Sequence, residues 1–157
     1  MEVFPKLIET IKTFSTVSSY NLIKDDLFKI VTEILEDKSE EDLLQLTSEN
    51  FVLIAKSFNG EDVANLILAT VIGYAINVES NDSSNIENKA LAGRLYGDLA
   101  SILGRDLCES YVVPQLICLV DDKNFKVRKS LVLSLINITQ VLSLTSITTK
   151  ILPIYTR

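Results

Sequence analysis

Apolar residues recur at intervals of three and four along this 157-residue chain, and alternation at two is scarce. That spacing is the signature of one buried face on an α-helix, so the chain is read as all-α. Five Gly and three Pro leave few natural breaks, and the helices should be long. Phe4, Leu7, Ile8, Ile11 and Phe14 form a first stripe; Ile23, Leu27, Ile30, Val31, Ile34 and Leu35 form a second. A third helix is expected from about Glu41 to Phe58, ending at Asn59-Gly60. A fourth is expected from Glu61 to Val78 and a fifth from Ser84 to Leu103, stopped by Gly104. The sixth runs from Asp106 to Val120, the seventh from Phe125 to Leu142, and an eighth starts near Thr145. Ser39 with Asp42, and Ser84 with Glu87, have the spacing of capping boxes.

The fifth helix has two faces. Leu91, Leu95, Leu99 and Ile102 make an apolar stripe, and Ala90, Gly93, Gly97 and Ala100 make a stripe of small residues. A mid-helix Gly costs about 1 kcal/mol relative to Ala. Two on one face therefore predict the close approach of another helix.

Self-comparison exposes a repeat. Val113-Pro114 and Leu152-Pro153 lie 39 residues apart in matched contexts, VVPQL and ILPIY. KALAGRL (89–95) aligns with KSLVLSL (129–135) at an offset of 40. Carried back once more, Leu91 and Leu95 fall on Phe51 and Ala55. A period near 40 with two helices per unit is the pattern of a helical solenoid.

The stretch YVVPQLICLVDDKNFKVRKSLVLSLINI (111–138) resembles a HEAT repeat. Its matching positions are Pro114, Leu116, Leu119, Asp121, Val127, Arg128, Leu131 and Leu135, with Pro153 opening the next unit. LVDDKNFKVRKSL and ILPIYTR are similar to segments of the scaffold and HEAT-type regulatory subunits of Ser/Thr protein phosphatases. The resemblance implies a right-handed superhelix of three to four antiparallel helix pairs. It also implies a ladder in which a turn acid such as Asp121 meets an arginine such as Arg128 of an adjacent repeat. The preceding repeat departs from the pattern, with no proline in 61–78 and Glu87-Asn88 where Val-Arg belongs. The whole of 1–157 reads as one repeat domain. Ile147, Ile151, Leu152 and Ile154 do not make a polar cap, so it reads as a piece of a longer solenoid.

Composition narrows function. There is no His and no Trp, which removes the usual general base and the commonest zinc ligand. No phosphate-binding glycine loop, nucleophile elbow, C-x-x-C or EF-hand loop occurs. No catalytic residue, metal site, cofactor or small-molecule substrate is expected. The acidic group Glu36-Asp37 and Glu40-Glu41-Asp42 reads as a solvated turn favouring a helix N-terminus. Net charge is −6, which opposes nucleic-acid binding and a HEAT-like repair glycosylase, the enzyme alternative. Residues 1–82 carry 15 acids and 6 bases (net −9), and residues 83–157 carry 6 acids and 9 bases (net +3).

The partners expected are therefore other proteins, with a Ser/Thr phosphatase subunit implied by the resemblance. A transport or tubulin-binding adaptor is the alternative of the same class. Asp122, Lys123, Asn124, Phe125 and Lys126 at the turn are the candidate contacts. Phe125 is read as packing at the helix start, with an exposed contact as the alternative. Cys108 and Cys118 are read as reduced core or near-core thiols, too far apart on one helix to bridge. The segment Val63–Val78 carries Asn65, Thr70 and Asn77 and is too short for a membrane span, so no span is expected. The expected compartment is the cytoplasm or nucleus.

Overall fold

The computed structural model describes residues 6, 17–36, 41–76 and 83–155. Among them there are helices and turns and no strand. The Phe4–Phe14 stripe and the Ser39 cap lie outside the described residues, apart from Lys6. Contacts divide the chain into two compact units, Met1–Glu61 and Asp62–Arg157.

In the first unit, α1 (residues 17–36) packs on α2 (Glu41–Ala55). Ile23, Leu27, Val31 and Leu35 are buried at a strict spacing of four. An α-helix repeats every 3.6 residues, so such a stripe drifts off the face it must bury. A π turn over Leu22–Leu27 corrects the drift, and Phe28 N–H donates to Ile23 C=O, five residues back. The rings of Tyr20, Phe28, Phe51 and Phe58 pack at tilted angles with centroids 5.7–6.0 Å apart. The chain leaves α2 through tighter bonds, Ser57 N–H to Ile54 C=O (2.8 Å) and Phe58 N–H to Ala55 C=O (3.2 Å).

The second unit repeats this device. α3 (residues 60–76, all but its first two in this unit) carries a π turn at Val63–Leu68, and Val63, Ile67, Val71 and Ala75 are buried. The next helical run, Ser83–Leu107, is two helices, because Gly104 (φ 71°, ψ −179°) occupies a region open only to glycine. α4 is therefore residues 83–103. It already includes Ser83, so Ser84 stands inside the helix instead of capping it. α5 (residues 105–120) has a π turn at Cys108–Val112 and buries Cys108, Val112 and Leu116. α6 is Phe125–Thr139, and α7 (residues 144–155) has its π turn at Ile147–Ile151.

Pro114 and Pro153 occupy equivalent places. Each is the second residue after a π turn, and the residue before each, Val113 or Leu152, donates five residues back, to Cys108 or Ile147. The π turn gives the proline ring the room that an α-helical carbonyl four residues back would deny it. The π turns of α1 and α3 contain no proline, so the ring accompanies the widening and does not cause it.

α4 and α6 run parallel. Their contacts advance together, Glu87 with Lys126, Gly93 with Ser130 and Gly97 with Ser134. α5 joins them through short turns and runs back antiparallel to both. α3 touches α5, and α5 touches α7. The small-residue face of α4 is the crossing point. A Cβ built on Gly97 would lie 2.7 Å from Ser134 Cβ and 2.8 Å from its Cα. The Ser134 hydroxyl is placed to donate to Gly93 C=O.

Burial corrects one register. Offset by 39, the α4 residues Asn88, Ala92, Tyr96, Leu99 and Leu103 meet Val127, Leu131, Leu135, Ile138 and Leu142, and all ten are buried. At 40, exposed Asp98 would match buried Ile138. The offset that aligns the two prolines thus holds for the other row of helices as well.

Candidate functional site

The α5–α6 turn is built by its own side chains. Asp122 N–H closes the last turn of α5 on Leu119 C=O (3.1 Å). Asp122 Oδ1 accepts from Asn124 N–H (2.8 Å), an Asx turn. Asn124, in an extended conformation, caps α6 by accepting from Lys126 N–H (2.8 Å). Arg128 Nη1 donates to the carbonyls of Asp122 (2.8 Å) and Lys123 (3.0 Å).

Two ion pairs tie this turn to the N-terminal part of α4. Lys89 Nζ lies 3.0 Å from Asp122 Oδ2, and Lys126 Nζ lies 2.7 Å from both oxygens of Glu87. Burial works to raise the Asp122 pKa. The Asn124 amide and the Lys89 ammonium outweigh it, and the carboxyl titrates below its ordinary range. Between the two elements lies a polar groove of about 400 Å³, lined by Asn85, Ile86 and Lys89 of α4 and by residues 121–124. A second tie joins α5 to α7: Glu109 Oε1 accepts from Ser143 N–H (2.8 Å), while Ser143 Oγ accepts from Ser146 N–H and caps α7.

The five candidate contact residues divide. Asp122 and Asn124 hold the turn and Lys126 is bound to Glu87, whereas Lys123 and Phe125 face solvent. Phe125 is 69% exposed, which corrects its reading as a packing residue. Of the repeat positions, Val127 is fully buried and Asp121 lies exposed at the groove rim. Arg128 turns onto carbonyls of its own turn instead of reaching an acid in an adjacent repeat. At an offset of 39 its counterpart on α4 is Lys89, and Lys89 does reach the acid of the next turn. At 39 the Val-Arg positions fall on Asn88-Lys89, so the cation is kept and only the valine is replaced.

Cys108 is buried and its thiol is pushed up to about 11, by burial and then by the charge of Glu109. Cys118 is exposed, correcting its near-core reading.

Sequence reasoning missed the outer face of α6, where Val132, Leu133 and Ile136 are exposed. The signal was present. α6 has large apolar residues on two sides, and its stripe from Val127 to Leu142 accounts for only one of them. No protein-family model and no curated protein matches the sequence. Among the described residues no helix is long and apolar enough to cross a membrane, and no group of three His, Cys, Asp or Glu is placed to hold a metal ion.

Proposed function

We propose that the chain is a non-catalytic protein–protein interaction scaffold, built as a HEAT-like αα superhelix of three to four helix pairs. The observation that carries this reading is the parallel α4–α6 pair at a repeat of 39 residues, with its matched buried stripe and equivalent prolines in the helix that follows each, α5 and α7. Stacked pairs of this kind leave a row of turns and helix faces for recognition. The exposed Phe125 and Lys123 beside the groove are an aromatic and a cationic side chain suited to anchoring a protein partner. The partner class proposed is a Ser/Thr protein phosphatase subunit, on the resemblance of 111–138.

The test is co-sedimentation of the purified chain with a purified Ser/Thr phosphatase catalytic subunit. Phe125→Ser and Lys123→Glu should each weaken binding, by about tenfold for a loss of 1.4 kcal/mol. Binding that survives both substitutions unchanged would remove these residues from the interface. A lack of binding at any concentration would refute the phosphatase assignment.

A further inference from the structure

The 39-residue register identifies a face that has lost its cover. On α4, Gly93 and Gly97 are buried beneath Ser130 and Ser134 of α6. The equivalent residues of α6 are Val132 and Ile136, which are 54% and 63% exposed. Leu133 is exposed beside them, and so are Lys126 and Lys129. Lys129 makes no ion pair among the described residues. The uncovered face of α6 is thus apolar at its centre, with Lys129 as the cation at its edge and no acid in α6 itself; Lys126 is taken up by Glu87 of α4. It also continues the stacking direction of the α4–α6 interface.

The complementary surface is present in the same chain. α1 exposes Leu22 and Ile30, flanked by Asp25, Asp26, Glu33 and Glu36, all exposed. Its one exposed cation on this face, Lys29, lies 3.9 Å from Glu33. Both faces combine apolar residues with charge, and the charges are opposite.

We propose that the chain associates with a second copy of itself head to tail, the outer face of α6 of one molecule seated on the exposed face of α1 of the next. The reading rests on the interaction role above, with the chain as its own partner. Such a contact is heterologous, so it propagates into short filaments or closes into a ring and does not stop at a symmetric dimer. Apolar burial supplies the affinity, and the Lys129–acid complementarity sets the orientation.

The experiment is sedimentation equilibrium of the purified full chain over a wide range of micromolar concentrations, at low and at high salt. The average mass should rise with concentration and fall with added salt. Ile136→Asp should weaken association by more than about tenfold, since it places a charge at the centre of the contact. Lys129→Glu and Glu33→Lys should each weaken it alone, and an equimolar mixture of the two variants should restore it. All three positions are exposed, and an unchanged circular dichroism spectrum and melting midpoint check that the variants fold. A single monomer mass throughout overturns the proposal. So does association that Ile136→Asp leaves intact, or a mixture that fails to restore it. Loss of association from Lys129→Glu with no effect of Glu33→Lys would point to a symmetric α6–α6 contact and also overturn it. None of these variants alters Phe125 or Lys123, so failure here leaves the phosphatase test standing.

Discussion

Gly97→Ala tests the closest helix crossing in the second unit. Away from any neighbour, the exchange would favour the helix by about 1 kcal/mol. Here the added Cβ would sit 2.7 Å from Ser134 Cβ and 2.8 Å from Ser134 Cα. A favourable carbon pair needs about 3.5–4.0 Å, so α6 must retreat by roughly 1 Å. The neighbour is backbone, and no rotamer change relieves it. Overpacking of this kind costs about 1–3 kcal/mol. The retreat also loosens the Ser134–Gly93 hydrogen bond, worth about 1 kcal/mol. The net is a destabilisation of about 2 kcal/mol, or a fall of about 4–8 °C in midpoint for a chain of this size. Thermal and urea unfolding followed by far-ultraviolet circular dichroism measure it. Adding Ser134→Gly removes the Cβ and hydroxyl contacts, so the double variant should be less impaired than the sum of the two singles. A Gly97→Ala protein as stable as the parent would refute the close crossing, and with it the account of why glycine stands there.

Gly73 supplies the opposite sign: it is exposed in α3 with nothing within 4 Å of an added Cβ, so Gly73→Ala should stabilise by about 0.5–1 kcal/mol in the same assay. Among the described residues the buried Tyr96 hydroxyl has no hydrogen-bond partner, and burial holds its pKa above the ordinary phenol value; Tyr96→Phe should leave stability unchanged or raise it by up to about 1 kcal/mol, read as a urea midpoint. Thiol titration near about pH 8 should show one fast-reacting group, Cys118, with Cys108 reacting only as the protein opens. Asp122 has a folded pKa below its unfolded one, so its contribution is present above about pH 4 and lost as pH falls through the folded value. Asp122→Asn should therefore lower stability at neutral pH and flatten the acid limb of a stability–pH curve, and an unchanged limb would refute the Lys89–Asp122 link.

Much of the helical layout was legible because its causes are local. Gly104 ends α4 as expected, since only glycine takes its backbone angles. α6 begins at Phe125 as expected, and the Gly93–Gly97 face meets another helix. What escaped was second-order periodicity. Ile23-Leu27-Val31-Leu35 and Val63-Ile67-Val71-Ala75 are spaced by four in helices with π turns, but Leu91-Leu95-Leu99-Leu103 of α4 is buried at the same spacing without one, so the spacing alone does not announce the turn. The repeat register slipped by one because leucine at 91 and 95 matches leucine at 131 and 135 in identity. The structural match pairs unlike residues instead, Asn88 with Val127 and Tyr96 with Leu135. At the turn, residue types announced a polar surface. They did not say which side chains would be consumed in holding it, and Asp122, Asn124 and Lys126 were.

The unlike pairs at this register carry a further consequence. Where α4 has glycine at 93 and 97, α6 has valine and isoleucine at 132 and 136. Glycine lets a neighbouring backbone come within contact of a helix, whereas β-branched side chains hold it off. A helix laid on the outer face of α6 therefore sits farther away than α6 does from α4, and meets side chains instead of backbone. It cannot reproduce the Ser134–Gly93 bond, and its affinity must come from apolar area at the centre and charge at the rim. The inner crossing depends on close approach and should fail abruptly when a methyl group is added. The outer face should tolerate Ile136→Val or Ile136→Leu and respond to Ile136→Asp. That contrast between volume sensitivity inside and polarity sensitivity outside separates a core contact of one molecule from a surface used between molecules.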